Sequence, residues 1–381
     1  MISYAKQFIS KEDIKAVVEV LKSDFITCGL KVQEFERRFS RYTGSKYAVA
    51  VSSGTAGLHL ACLAAELEKG DELITSPLSF AASANCALYC GAKPIFIDIN
   101  EQGLMDENSL KKKITKRTKI IIPVHYGGLP CKLDKIQKIA KKYKLIIIED
   151  AVHALGARYK KSKIGDCKYS DMAVFSFHPV KHITTGEGGM ITTNNRKYYE
   201  KLLMLRTHGI TKDKSKYVSK VKSQISNIGS WYHEMQLLGY NYRLTDIQCA
   251  LGISQLNKID SFIKKRREIA NKYDKAFKNA KNIEIIKESK DQFNAYHLYP
   301  VRVKENKTRF RIFNYLKKNN IYCQIHYIPI YWHPYYQKLD YKKGLCSKAE
   351  DFSQREISIP LYASLKSEEV NYVINKIFEF F

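Results

Sequence analysis

Lys181 stands five residues after Ser176, just past the apolar run Met172–Phe177, and a glycine-rich turn, Gly186-Glu187-Gly188-Gly189, follows it. A lysine amine forms a Schiff base with an aldehyde, and the loop after a strand is where such a group can be presented. Ser176, at the end of the same run, can donate its hydroxyl to a phosphate while Lys181 reaches an aldehyde carbon. In a chain with 64 Lys+Arg the plainer reading is a surface lysine in a turn. The choice between the two rests on what else the chain places at equivalent strand ends.

Three further pieces stand at such places. Ser52-Ser53-Gly54-Thr55-Ala56-Gly57 joins a strand to a helix. Its small residues let backbone N–H groups approach a phosphate at the positive end of the helix dipole. An ordinary turn and N-cap would look the same. Asp150 ends the run Leu145-Ile146-Ile147-Ile148-Glu149, and a carboxylate just past a buried strand is costly unless paired. A protonated pyridine nitrogen is a natural partner; an N-cap or an ion pair with a lysine is the alternative. His153 can reach the same ligand, or be a satisfied structural histidine. Phe80, after the second strand, can stack on an aromatic ring or simply belong to the core.

The elements that hold these pieces alternate. Strand candidates are Tyr47–Val51, Glu72–Thr75, Pro94–Ile99, Lys119–Val124, Leu145–Glu149, Met172–Phe177 and Gly189–Thr193. Several are apolar throughout, the pattern of strands buried on both faces. Helical periods over Ala56–Leu67, Ser79–Tyr89 and Leu133–Tyr143 lie between them. Strand–helix alternation predicts an α/β fold, a mainly parallel sheet with helices on both faces, in which ligands gather at the carboxyl ends of the strands. Near the N-terminus, Lys11–Ser23 is a helix opened by the pair Ser10 and Asp13. After Arg243 the texture changes. Thr245 to Lys278 predicts one long helix or two in line, capped by Thr245 or Asp246. Strands at Tyr296–Val303 and Tyr322–Ile325 and helices at Thr308–Lys318 and Ser367–Phe381 complete a smaller α+β domain. The expected division is 1–250 for the large domain, with an N-terminal arm, and 251–381 for the small one. Lys212–Lys222 reads as an exposed loop.

Charge and cysteines narrow the class. A net charge of +26 raises the question of nucleic acid, but the lysines are diffuse and no zinc-finger, RRM or basic-region pattern occurs. The basic surface suits an anionic small substrate instead. Nine cysteines without a CxxC motif argue against zinc and for reduced thiols. With neither an apolar leader nor a run of membrane-spanning length, the chain reads as a soluble cytoplasmic protein.

SSGTAGLHLA, SPLSFAASANCALYCGAKPIFIDI, IIIEDAVHALGA, SFHPVKHITTGEGG and GYNYRLTDIQCALGISQL, in that order, resemble the DegT/DnrJ/EryC1/StrS sugar aminotransferases. The resemblance runs from about Phe8 to the C-terminus. It implies a pyridoxal 5′-phosphate (PLP) enzyme of fold type I, with a seven-stranded sheet and a smaller C-terminal domain. It casts Lys181 as the Schiff-base lysine, Asp150 as partner of the pyridine nitrogen and His153 as neighbour of the phenolic oxygen. Thr55, Ala56 and Ser176 then hold the phosphate, and Phe80 stacks on the ring. Asn241 matches an asparagine that reaches the phosphate of the other subunit, which implies a homodimer with shared active sites. SFHPVK, Ala295–Pro300 and Gln324–Pro329 look most like the subgroup of pseudaminic acid biosynthesis. That subgroup aminates C4 of UDP-2-acetamido-2,6-dideoxy-β-L-arabino-hex-4-ulose with L-glutamate as donor. His326 and Tyr327, with Thr27, Gly29 and Lys31 in an N-terminal loop, are the substrate candidates; an exposed turn is an equal reading of that loop.

Two departures keep alternatives open. His182 stands where the subgroup has proline, and Gly186 before Glu187 is the arrangement of GDP-perosamine synthases. Amination toward GDP-perosamine or UDP-4-amino-arabinose is the nearest alternative. A PLP sugar dehydratase would carry histidine at the reactive position, but counting from Ser176 that position is Lys181. A non-enzymatic DNA-binding regulator would need an added helix-turn-helix domain, for which there is no room before Tyr4.

Overall fold

The computed structural model describes residues 1–218 and 229–381. Seven strands form the central sheet: β1 (Tyr47–Val51), β2 (Glu72–Thr75), β3 (Lys93–Phe96), β4 (Thr118–Ile122), β5 (Ile146–Asp150), β6 (Met172–Ser176) and β7 (Gly189–Thr193). Their order is β1-β7-β6-β5-β4-β2-β3. β7 runs antiparallel to both of its neighbours, and the remaining pairs are parallel.

Alternation along the strands decides which face each residue joins. Ile121, Ile147 and Phe175 enter one apolar cluster with Phe35 and Phe39 of the helix Leu30–Thr43 and with Leu133 and Ile136 of the helix Leu133–Tyr143. Ile120, Ile148 and Val174, one step along, enter the opposite cluster with Leu58 of the helix Gly54–Ala64 and Leu202 of the helix Arg196–Arg206. Both faces are covered, so the sheet presents its carboxyl edge, rather than a face, to ligands.

The expected long helix is two, Asp246–Leu256 and Ile259–Phe277. Thr245 is the cap, its Oγ accepting from the Gln248 N–H at 3.3 Å. At the N-terminus Asp13 accepts from the Ser10 N–H (2.8 Å), closing the predicted pair. A second, antiparallel sheet joins Ile283–Ile285, Tyr299–Val303 and Glu356–Ile359 over a separate apolar cluster that includes Tyr273, Val301, Ile357 and Ile377. Tyr322–Ile325 is not a strand. Ile321 bridges to Ile2 and Gln324 to Ser358, so two short contacts with different partners replace a ladder. Of the lysine-rich stretch, residues 212–218 are exposed apart from Tyr217, and residues 219–222 lie outside the described residues.

Candidate active site

A cavity of about 790 Å³ opens where β1, β5 and β6 end, and Thr55, Phe80, Asp150, Ser176, Lys181 and Tyr327 line it with others. Asp150, the last residue of β5, is buried. Its Oδ2 accepts from Ser83 Oγ (2.5 Å) and its Oδ1 from the Val152 N–H (3.3 Å). Burial raises the Asp150 pKa, and the partners that favour its charged form only partly offset this. The carboxylate lines the cavity without a salt bridge among the described residues.

Lys181 follows β6 in a turn closed by its own N–H to the His178 carbonyl (2.9 Å). Burial brings the amine down to about 8, opposed by the charge of Asp150. Lys181 Nζ lies 3.5 Å from His297 Nε2. Burial also holds His153, His182 and His297 well below the ordinary histidine pKa, so three neutral imidazoles surround the lysine. His182 does not line the cavity; its Nε2–H donates to the Ala295 carbonyl at 3.0 Å. Of the two, Lys181 rather than His182 lines the cavity, which argues against the histidine of a dehydratase at that position.

On the phosphate side, Ser53 caps the helix Gly54–Ala64 by accepting the Ala56 N–H at 3.1 Å. The Ala56 N–H expected at a phosphate is thus already satisfied and Ala56 does not line the cavity, so the N–H groups of Gly54 and Thr55, which precede any intrahelical acceptor, are the donors of the turn. Ser176 packs against it so closely that a Cβ at Gly54 would lie 3.0 Å from the Ser176 Cβ. A side chain at position 54 would have to push Ser176 aside. Phe80 stands at the cavity mouth, 63% exposed, with its ring free to cover a ligand.

His326 and Tyr327 also reach the cavity, and Tyr327 Oη lies 3.1 Å from His153 Nε2. His153 Nδ1 and His297 Nδ1 are buried without hydrogen-bond partners among the described residues. The other substrate candidates stand elsewhere. Gly29 and Lys31 donate their N–H groups to the Asp246 carboxylate (2.6 and 2.8 Å), and Thr27 is exposed beside them. A Cβ at Gly29 would meet Asp246 Oδ1 at 2.9 Å, so close approach to Asp246 accounts for this glycine. Asn241 is exposed, pairs with Thr207, and does not line this chain's own cavity. Ser83 and His297 are site residues that the sequence did not single out. Each lies within a recognised stretch, but its role depends on contacts across 67 and 116 residues.

Residues 7–378 match the DegT/DnrJ/EryC1/StrS aminotransferase family. The chain belongs to this family. Over 383 residues it is 39% identical to the UDP-4-amino-4,6-dideoxy-N-acetyl-beta-L-altrosamine transaminase of Campylobacter jejuni, covering 99% of this chain and 97% of that one. Helicobacter pylori PseC, an aminotransferase involved in pseudaminic acid biosynthesis, superposes with a TM-score of 0.91 at 35% identity, covering 100% and 99% of the two chains. The PLP form of the sugar aminotransferase Spr1654 from Streptococcus pneumoniae gives 0.92 at 31% identity, covering 100% and 98%. The protein is thus a DegT-family sugar aminotransferase with the α/β fold of PLP-dependent members.

PLP is the cofactor of DegT-family aminotransferases, and the residues present fit it. Asp150 is a buried carboxylate in want of a cation, which a pyridinium would supply. The Gly54–Thr55 turn and Ser176 form a narrow, donor-rich cradle of the kind a phosphate needs. Lys181 offers an amine already biased toward its neutral, nucleophilic form.

Proposed function

We propose that this aminotransferase moves the amino group of L-glutamate to C4 of a UDP-linked 4-keto-6-deoxy sugar. The favoured substrate is UDP-2-acetamido-2,6-dideoxy-β-L-arabino-hex-4-ulose, in cytoplasmic pseudaminic acid biosynthesis. The observation that carries the reaction is Lys181, its pKa brought down to about 8, on one cavity with the buried carboxylate of Asp150. The likeness to the altrosamine transaminase along nearly the whole of both chains supports the substrate.

Bound in this cavity, PLP would supply an aldehyde for the migrating amine and an electron-withdrawing ring. The protein's part is positioning and proton transfer. Lys181 Nζ takes a proton from Cα of glutamate and, in the return half, delivers one to C4 of the sugar. Asp150 holds a negative charge at the end of β5, opposite that amine. Thr55 and Ser176 hold the phosphate, His153 stands beside the ring with a free Nδ1, and Phe80 covers one ring face.

We further propose a homodimer in which Asn241 completes the phosphate site of the other subunit. Asn241 is exposed and remote from its own cavity, and Phe25, Trp231 and Leu238 are 66%, 76% and 74% exposed. Such large apolar surfaces call for a cover. Thr27, Gly29 and Lys31, the last two held by the Asp246 carboxylate, would approach that partner's substrate.

Incubation of the purified protein with L-glutamate and a panel of UDP- and GDP-linked 4-keto sugars tests the reading. The C4-amino product of the UDP-linked L-arabino-hexulose, identified by mass and NMR, is expected. Turnover of the GDP-linked 4-keto sugar alone would overturn the proposed substrate.

A further inference from the structure

Behind the cavity wall lies a chain of three polar side chains to which the transamination just described gives no role. Glu356 is completely buried in the strand Glu356–Ile359, with Ser358 two residues on and so on the same face. Glu356 Oε2 accepts the backbone N–H of His326 (2.7 Å), and its Oε1 accepts from Ser358 Oγ (2.5 Å). Ser358 Oγ also lies 2.8 Å from His326 Nδ1. Reciprocal backbone bonds between Ser358 and Gln324 (2.8 and 3.2 Å) hold the two segments together. His326 lines the cavity, and its Nε2 makes no hydrogen bond within the described residues.

A hydroxyl carries one proton, so Ser358 donates in one direction only. With Glu356 ionised, Ser358 donates to the carboxylate and accepts from His326 Nδ1–H, and Nε2 faces the cavity as an acceptor. With a proton on Glu356 Oε1, the carboxyl donates to Ser358, Ser358 donates to Nδ1, and Nε2–H faces the cavity as a donor. The proton is better placed on Oε1, because Oε2 as the carbonyl oxygen is the stronger acceptor for the His326 N–H. We propose that Glu356 and Ser358 are positioning residues that set the tautomer of His326 and thereby decide whether the cavity offers substrate a donor or an acceptor.

The surroundings allow this switch. Burial raises Glu356 to about 8. Arg309 is the charged group that opposes the rise, its own Nη1 donating to the Ser353 carbonyl (2.7 Å), and Tyr126, Tyr327 and Cys323 are the other titratable groups around the carboxyl. His326 is faced by Lys181, His153 and Tyr4; burial, helped by Lys181, brings it down to about 3, so it stays neutral and only its tautomer changes. Near neutral pH the donor state prevails, suited to an oxygen of the keto sugar. This assignment of the ligand rests on the sugar-aminotransferase reading; the tautomer itself does not.

The test is ¹⁵N NMR of the full-length protein labelled at histidine, with the His326 signals identified by their loss in His326→Gln. Wild type should show Nε2–H at about pH 6.5 and Nδ1–H at about pH 9.5. Glu356→Gln keeps the shape but must turn its NH2 toward Ser358, because the amide oxygen is needed by the His326 N–H. It should therefore show Nε2–H at both pH values. An unchanged wild-type tautomer, or a variant that still switches, overturns the proposal. Ser358→Ala, which breaks the chain at its centre, should abolish the switch and serves if the glutamine variant does not fold. In the sugar half-reaction, KM should rise about fivefold between the two pH values in wild type and much less in Glu356→Gln, the worth of one neutral hydrogen bond. An equal rise in both proteins would overturn the role in sugar binding.

Discussion

Lys181 Nζ lies 3.5 Å from His297 Nε2, and the other nitrogen of that imidazole, Nδ1, is buried without a partner among the described residues. His297 thus holds the amine from one side while staying neutral itself, because burial opposes its protonation. His297→Ala should lower kcat about five- to tenfold, the worth of one lost hydrogen bond. It should also admit water to an amine whose pKa is held down mainly by burial, moving it back toward its usual value. A pH–rate profile for cofactor capture that is unmoved in the variant would refute this account.

The amine of Lys181 sets a pH dependence of its own. A value near 8 means that the neutral, nucleophilic form is the minority below that pH and the majority above it. Capture of PLP by cofactor-free protein, followed by its visible absorption, should speed up about tenfold per pH unit below 8 and level off above. Asp150→Asn removes the charge that holds the value up, so its plateau should begin at lower pH, opposite to His297→Ala. Stopped-flow mixing of the three proteins across the range separates these outcomes.

Asp150→Asn should split stability from activity. In the cofactor-free protein Asp150 is a buried carboxylate with a raised pKa and no salt bridge among the described residues, so its ionisation weakens the fold as pH rises through that pKa. The amide keeps the size without the charge. Urea denaturation should show the cofactor-free variant as stable as wild type at low pH and about 1 kcal/mol more stable at high pH. Turnover should fall about a hundredfold or more, since the charge opposite the reacting centre is gone. Near-wild-type kcat in the variant would rule out that role for Asp150.

The central strands were legible because β4 and β5 carry the unbroken apolar runs Ile120–Ile122 and Ile146–Ile148 and β6 the run Met172–Phe175, the pattern of strands buried on both faces. Lys181 and Asp150 were legible as cavity-lining residues for a related reason: each follows within a few residues of such a run. The strand Glu356–Ile359 was not legible, because four residues between a helix and Pro360 carry too little period to read. Its partner segment, Tyr322–Ile325, looked like a strand through its β-rich composition but shares its bonds between the N-terminus and Ser358. Gly29 carried no local sign of its neighbour, the Asp246 carboxylate, which is 217 residues away. His297 and Ser83 are of the same kind. Side chains that complete a site through tertiary contact leave no spacing in the sequence.

The placement of Asn241 makes a prediction about assembly. It is exposed, its backbone pairs with Thr207, and it does not line the cavity of its own chain. It is also an unsuitable cap for the helix Asp246–Leu256, which Thr245 already caps. If it serves the phosphate of a second subunit, Asn241→Ala and Lys181→Ala damage the same site from different chains. Each variant alone should be severely impaired, Lys181→Ala by about a hundredfold or more, while still binding PLP without a covalent bond. After subunit exchange, a heterodimer of the two carries both lesions in one site and neither in the other. Activity should therefore return toward half of wild type in the heterodimer fraction. Proven heterodimers without recovery, or a fully active monomer, would show that the site is complete within one chain.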